Sequence, residues 1–598
     1  MKNSEFPTLC ALRGVVIAVM ALASPGTWAA GASQPAVMIA QAPVQINPHQ
    51  PARASDPVEM LPEIELTPQL LFRVLASEIA VQRGDIASAA LTYLGLARET
   101  RDPRFAHRAT ELGVAARSPT ALEAGRLWHE LAPGSEQAAQ AFESLLLIDG
   151  EVAEAEPLLA SRQVKARAAG KLNEFYAQLR RNLPAVRDPG AALAMVRRLT
   201  AQDLELAEAH LAIAAVAHAA KNPELAESEA VAALRMQPEN RATLLATLVY
   251  SVPGKEGAER ARQRLADFLD RHPDDAELWF IHAQSLAADG QIERARDEFE
   301  RAMKLEPDNP RVLLTVAQFS YRNKDLERAE QLLKRYLELP GQTRSPDPAR
   351  MMLGLIAEDK ENPEQALRWY EQVQSGEQFI SAVGRRAMLT ARMGRLGEAT
   401  EMLHTVATTT SAERVRLLTI ESEILRELGQ QEAAFKVLDD ALLKYRDDHG
   451  LLYAQAMAAE RINRIDAMEK SLRRLISLDP RNANAYNALG YSLADRNLRL
   501  GEAQKLVEQA LQLQPESAHI IDSMGWVMFR RGQMEAALRH LIKAYALAPE
   551  ADIAAHLGEV LWVIGRKEEA RTIWRAAHRD DADNQVLIET LKRLGAKL

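Results

Sequence analysis

From about residue 69 onward, small and apolar residues recur along the chain with a period close to 34 residues. Glycines are followed five positions later by alanines, as in Gly290/Ala295 and Gly532/Ala537, and prolines such as Pro307 mark the ends of units. A fixed period of this length predicts a tandem array in which each unit buries its apolar face against its neighbours.

The unit at residues 276–309 shows the expected structure of one period. Trp279 and Leu286 fall on one face of a first helix, and Phe299 lies on the apolar face of a second helix. Gly290 separates the two, since glycine readily takes the left-handed conformation that ends a helix. The eighth place of the units holds only small residues, which predicts close contact between paired helices: Ala214, Ala283, Ala317, Gly354, Ala387, Ser422, Ala456, Gly490, Gly525 and Gly558.

This order of residues resembles the tetratricopeptide repeat, a motif of two helices. The likeness is clearest at residues 276–309, 482–514, 518–550 and 551–583. The resemblance implies an all-α solenoid of helical hairpins, wound as a right-handed superhelix. It also implies that the first helix of each pair lines a concave groove, a surface suited to peptides or partner helices.

The composition of the N-terminal residues and the periodicity of the rest together predict five segments in the chain. Residues 1–30 are predicted to be a signal peptide and residues 31–68 a proline-rich disordered linker. Residues 69–206 are predicted to form degenerate helical repeats, and residues 207–583 a tandem array of regular repeats. Residues 584–598 are predicted to contain a terminal capping helix. The repeat-bearing part leaves room for about fifteen units of this length.

The N-terminal residues are typical of an exported protein. Lys2 and Arg13 precede an apolar run at residues 14–23, and small residues follow it as far as Ala30. This order is typical of a cleaved secretory signal peptide, and the run is shorter than a bilayer-spanning helix requires. An N-terminal membrane anchor is the alternative. Because Cys10 precedes the apolar run, no acylated cysteine is expected after it, and membrane association stays open.

Composition argues against several classes of function. Lys and Arg number 73 against 82 Asp and Glu, so no basic surface for nucleic acid is expected. The chain has one cysteine, no glycine-rich phosphate loop and no metal-binding spacing of its histidines. His282 and His556 stand beside the small eighth place and are predicted to be core residues. No segment of domain size escapes the repeat, so we expect no enzyme, no cofactor, no metal and no small-molecule substrate.

Candidate partner-binding residues occupy roughly the fifth, ninth and twelfth places of the units, which would line the groove. Trp279 and Trp574 stand instead at core places. The alternative is that the aromatic groove residues pack between neighbouring units. Under the groove interpretation, Trp526→Ala or Trp562→Ala weakens partner binding without unfolding the chain. The candidates are Phe280, Gln318, Tyr321, Asn487, Tyr491, Trp526, Phe529, Glu559 and Trp562.

Residues 522–575 are similar to the C-terminal repeats of a group of Gram-negative cell-envelope proteins. The group includes an outer-membrane lipoprotein that acts as adaptor for a periplasmic carboxyl-terminal processing protease. The resemblance implies a non-enzymatic periplasmic scaffold that gathers such a protease and its cell-wall hydrolase substrates. The alternative is a component of an envelope export or assembly complex, such as one for polysaccharide secretion.

Overall fold

The computed structural model describes residues 61–341, 345–374, 376 and 378–598. Within these residues the chain forms thirty-one α-helices, one short 3₁₀ turn and no strand. That number equals fifteen helix pairs followed by one terminal helix. The predicted all-α fold of helical hairpins is therefore confirmed. The right-handed sense implied by the resemblance stays a prediction.

The predicted signal peptide lies outside the described residues, as does the predicted linker up to residue 60. Residues 61–67 are neither helix nor strand, and the first helix begins at Pro68, where Thr67 caps it by accepting a hydrogen bond from the amide of Leu70. The chain divides into two compact units, Met1–Asn323 and Lys324–Leu598.

The first unit contains fifteen helices among its described residues, with a 3₁₀ turn at Leu183–Ala185 between α7 and α8. The helices are α1 (Pro68–Gln82), α2 (Ile86–Thr100), α3 (Pro103–Ala115), α4 (Thr120–Leu131), α5 (Glu136–Asp149), α6 (Val152–Ala168), α7 (Leu172–Asn182), α8 (Pro189–Thr200), α9 (Ala207–Ala219), α10 (Pro223–Met236), α11 (Arg241–Val249), α12 (Lys255–Leu269), α13 (Ala276–Ala288), α14 (Ile292–Leu305) and α15 (Pro310–Arg322).

The second unit contains sixteen helices among its described residues. They are α16 (Leu326–Glu338), α17 (Asp347–Asp359), α18 (Pro363–Glu371), α19 (Phe379–Arg392), α20 (Leu396–Thr405), α21 (Ser411–Glu427), α22 (Gln431–Lys444), α23 (His449–Arg461), α24 (Ile465–Leu478), α25 (Ala483–Asp495), α26 (Leu500–Leu513), α27 (Ala518–Arg530), α28 (Met534–Leu547), α29 (Ala551–Val563), α30 (Lys567–Asp580) and α31 (Gln585–Leu594).

Local signals in the sequence account for the helix boundaries of a pair. Before α13, the carboxylate of Asp275 accepts a hydrogen bond of 3.0 Å from the amide of Leu278 and so satisfies a free donor at the helix start. After α13, Gly290 has a φ of +78°, which a residue with a side chain adopts only at a cost. The chain can therefore reverse and begin α14 two residues later.

The predicted close contact at the eighth place is confirmed. A Cβ atom added to Gly525 would lie 2.6 Å from Cγ of Leu541, and one added to Gly490 would lie 2.9 Å from the carbonyl oxygen of Ala503. At Gly558 the added atom would overlap the indole of Trp574. Small residues are thus needed here because the second helix of the pair occupies the space of a side chain.

The predicted core residues are buried. Trp574 is 0% exposed and Trp279 is 7% exposed, and both belong to the packed interior of their helix pairs. His282 and His556 are buried as well. Nδ1 of His282 lies 3.2 Å from a carboxylate oxygen of Glu298. The prediction that these histidines are core residues is confirmed.

Candidate partner-binding site

The first helices at the end of the second unit lie side by side and form one surface. Helix α25 contacts α27, α27 contacts α29, and α29 contacts α31. We call their shared side the first-helix face, and it carries Asn487, Tyr491, Trp526, Phe529, Glu559 and Trp562 of the predicted candidates. The remaining three candidates, Phe280, Gln318 and Tyr321, belong to first helices of the first unit.

Trp526 is buried rather than open to a groove. Its side chain stacks on His556 with ring centroids 4.3 Å apart and an interplanar angle of 23°, and it is 3% exposed. Its indole Nε1 donates a hydrogen bond of 3.2 Å to the carboxylate of Asp495. In this structure Trp526 therefore packs between neighbouring helix pairs, as the alternative interpretation describes, and its contact with a partner stays a prediction. The next first helix lies close enough to cover the ring.

Phe280 is also buried, and its exposed fraction is 1%. Its ring centroid lies 5.9 Å from that of Phe299, and the guanidinium of Arg311 lies 5.1 Å from the ring. The helix pair of Phe280 and the start of the following helix thus enclose the side chain. Phe280 is therefore covered within the chain, and its contact with a partner stays a prediction.

Glu559 is 2% exposed, and the terminal helix of the chain supplies its partner. The guanidinium of Arg593 donates two hydrogen bonds to the Glu559 carboxylate, at 2.6 and 2.5 Å. The carboxylate is therefore neutralised within the chain and is not open to a partner in this conformation. The terminal helix α31 covers Glu559 in this structure, and its predicted place in a partner-binding groove stays a prediction.

The other six candidates are partly buried, and each retains some exposed surface. Trp562 is the most distinctive, because the ammonium of Lys567 lies 4.9 Å and the guanidinium of Arg571 5.2 Å from its ring. Such contacts are cation–π interactions, and they hold the indole near the end of α29. The group comprises Gln318, Tyr321, Asn487, Tyr491, Phe529 and Trp562. Partner binding by these residues stays a prediction.

A polar cluster beneath the first-helix face was not predicted from the sequence. Nδ1 of His556 lies 2.9 Å from a carboxylate oxygen of Asp522, and Nε2 lies 3.3 Å from the hydroxyl of Tyr491. Burial opposes the charged form of His556, but the nearby Asp522 carboxylate raises the pKa of the imidazole above its ordinary value. The only sequence signal was that Asp522 and His556 stand 34 residues apart, one repeat period.

No group of three or more His, Cys, Asp or Glu side chains in the described residues is placed to hold a metal ion. Among the helices of the described segments, none is both long enough and apolar enough to cross a bilayer.

Family models of the tetratricopeptide repeat match three stretches of the chain, at residues 255–302, 286–345 and 449–482. Tetratricopeptide repeats are therefore present, as the sequence pattern predicted. Such repeats generally mediate protein–protein interactions and typically form non-catalytic scaffolds. The coarse expectation of a protein-binding repeat protein is thereby supported.

A TPR repeat-containing protein of Pseudomonas aeruginosa is 37% identical to this chain over 248 residues. The match covers 42% of this chain and 42% of that protein, so the chain spans less than half of its relative's length.

Solved tetratricopeptide structures are also similar. One is a thermophilic protein of Thermus thermophilus, with 22% identity, 30% of this chain and 95% of that chain covered, and a TM-score of 0.27. Another comes from Parabacteroides merdae, with 15% identity, 42% and 98% covered, and a TM-score of 0.34.

Proposed function

We propose that this protein is a non-enzymatic scaffold that binds partner proteins on the first-helix face of its second unit. The observation that carries the proposal is the partly exposed aromatic set Tyr491, Phe529 and Trp562, which lies on three successive first helices. Aromatic side chains of this kind bury a large area at little entropic cost when a partner covers them.

The proposed compartment is the periplasm of a Gram-negative cell. The proposal rests on the charged start, the apolar run at residues 14–23 and the small residues that follow. Fractionation of the organism that encodes the chain, with N-terminal sequencing of the purified protein, tests it. A periplasmic protein that begins near residues 29–32 is expected, and an uncut cytoplasmic protein would contradict the proposal.

The proposed partners are a carboxyl-terminal processing protease and its cell-wall hydrolase substrates. Support comes from the similarity of residues 522–575 to the envelope adaptor group. The second candidate, a component of an envelope export or assembly complex, has the same repeat architecture in its favour. The two candidates differ in the partners that each requires.

A site-specific crosslinking experiment tests both points in the full chain. A photoreactive phenylalanine analogue is placed at Phe529 or Trp562, and at Leu443 of α22 as a matched surface control. Leu443 is 72% exposed and lies on a second helix, away from the first-helix face. Proteins crosslinked from 529 and 562 but not from 443 are expected. A protease or hydrolase among them favours the adaptor, and synthase or export subunits favour the second candidate. Equal crosslinking from all three positions would contradict binding on this face.

A further inference from the structure

The buried imidazole of His556 joins three first helices of the second unit. It stands on α29, and its Nδ1 faces both carboxylate oxygens of Asp522 on α27, at 2.9 and 3.1 Å. On its other side, Nε2 lies 3.3 Å from the hydroxyl of Tyr491 on α25. The ring of Trp526 covers one face of the imidazole, and the His556 side chain is 5% exposed.

The contact between Tyr491 and His556 bridges helices that are not consecutive along the array. The two residues are 65 positions apart, and the helix pair that begins with α27 lies between their own pairs in the chain. One imidazole therefore contacts side chains on the first helices of three successive helix pairs. Loss of this contact would release α25 and α29 from each other, while each would keep its apolar contacts with α27.

The geometry indicates where the imidazole takes up a proton. Because Nδ1 faces two carboxylate oxygens, it carries its hydrogen in both the neutral and the charged form. The added proton is therefore at Nε2, beside Tyr491. In the neutral form Nε2 accepts the hydroxyl hydrogen of Tyr491, and in the charged form Nε2–H donates to the hydroxyl oxygen.

The charges around His556 favour its protonated form. The carboxylates of Asp522, Asp552 and Glu559 act on the imidazole, and the guanidinium of Arg593 is paired with Glu559. Asp495 on α25 accepts from Trp526, which stacks on the imidazole. A neutral imidazole would leave the 6% exposed Asp522 without a positive partner in the cluster. Burying an uncompensated carboxylate is costly, so this state is the less stable one.

We propose that Asp522, His556 and Tyr491 form a proton-controlled latch that holds α25, α27 and α29 together when His556 is charged. Deprotonation leaves the hydrogen bonds to Asp522 and Tyr491 in place but removes their charge assistance, and so weakens the latch between the three helices. The cluster raises the pKa of His556 above 6.5 in the folded chain. The stabilisation is therefore fully present below pH 6.5 and is lost as the pH rises through the folded pKa. The inference concerns the free chain and does not depend on which partner it binds.

Amide hydrogen exchange of the full chain between pH 6 and 9 tests the latch. Rates for α25, α27 and α29 are corrected for the intrinsic effect of pH, and the corrected exchange is expected to accelerate as the pH rises. This acceleration is at most about tenfold for each unit by which folding raises the pKa of the imidazole. His556→Gln should remove this pH dependence, because the amide side chain does not titrate in this range.

His519→Gln is the matched control, since His519 lies on α27 as well but its side chain is 62% exposed. This variant should keep the wild-type profile. A wild-type chain with no pH-dependent exchange in the three helices would overturn the latch, and so would an unchanged profile in His556→Gln.

Tyr491→Phe keeps the test informative if His556→Gln does not fold. It removes only the hydroxyl, so α25 should lose its pH response while α27 and α29 keep theirs. Retention of the wild-type profile in α25 would overturn the proposed bridge. No partner enters these measurements, so their failure is separate from failure of the crosslinking experiment.

Discussion

Arg593 of the terminal helix α31 pairs with Glu559 of α29 through two hydrogen bonds, at 2.6 and 2.5 Å. The Glu559 side chain is 3% exposed, whereas the Arg593 side chain is 53% exposed. Without the guanidinium, a buried carboxylate at the end of the array would lack its partner. The terminal helix therefore covers apolar surface and also neutralises a charge.

We expect Arg593→Ala to lower the free energy of unfolding by about 2 kcal/mol, because it leaves the buried Glu559 carboxylate unpaired. Urea unfolding of the full chain and proteolysis near its C-terminal end measure the effect. Arg579→Ala is the matched control, since Arg579 is 77% exposed and its partner, the adjacent Asp580, is exposed as well. Equal stability of the two variants would show that the pair with Glu559 contributes little.

Trp526→Ala is expected to destabilise the fold, contrary to the expectation from the sequence alone. The side chain is 3% exposed, and truncation leaves a cavity against His556 and Phe529 that costs about 3–5 kcal/mol. Trp562→Ala should cost less, roughly 1–2 kcal/mol, because part of that side chain is already in water. Thermal unfolding of both variants ranks them, and the opposite ranking would contradict the buried position of Trp526.

Gly558→Ala is expected to destabilise the last helix pair. The new methyl group would overlap the buried indole of Trp574, so α29 and α30 must move apart. Gly397→Ala in α20 is the matched control, because no atom lies within 4 Å of its added Cβ. The control should be neutral or stabilising by about 0.5–1 kcal/mol, since alanine favours a helix. Urea unfolding measures the change in unfolding free energy for each variant. Similar changes in Gly558→Ala and Gly397→Ala would contradict the close contact between α29 and α30.

Glu143 on α5 should make the first unit less stable as the pH rises. Burial raises the pKa of its carboxyl from 4.5 to about 7, although the guanidinium of Arg162, 2.7 Å away, acts in the opposite direction. The unfolded chain holds this proton less tightly, so protonated Glu143 stabilises the fold. This stabilisation is fully present below pH 4.5 and is lost as the pH rises to about 7. The shift corresponds to about 3 kcal/mol.

Urea unfolding of wild type and Glu143→Gln between pH 4.5 and 8 checks this prediction. As the pH rises across that range, the unfolding free energy of the wild type should fall relative to that of Glu143→Gln. Glu174→Gln, at an exposed position on α7 of the same unit, should show no such change. A constant difference between wild type and Glu143→Gln would rule out a raised pKa.

The helix pairs were predictable because their determinants are local or strictly periodic. Gly290 ends α13 through its own backbone conformation, and Asp275 caps α13 through an amide three residues away. Gly558 occupies the position at which the 34-residue period predicts close packing of paired helices. Such features depend on neighbours in the chain, and the sequence displays those neighbours directly.

The candidate site was predictable only in part. The spacing correctly placed Tyr491, Trp526 and Glu559 on first helices, but it did not indicate how deeply each would be covered. Coverage depends on the distance to the next first helix, which the packing of whole helix pairs sets. The same spacing therefore yields the partly exposed Trp562 and the buried Trp526.

By itself, the sequence determined that this protein is a series of helical hairpins with small residues where paired helices meet. Periodicity is sufficient for that, because each unit buries its apolar face against the next one. Only the tertiary structure decided that His556 meets both Asp522 and Tyr491 and that Arg593 neutralises Glu559. These contacts join residues from 34 to 65 positions apart, and they form only where stacked helices bring distant side chains within hydrogen-bond distance.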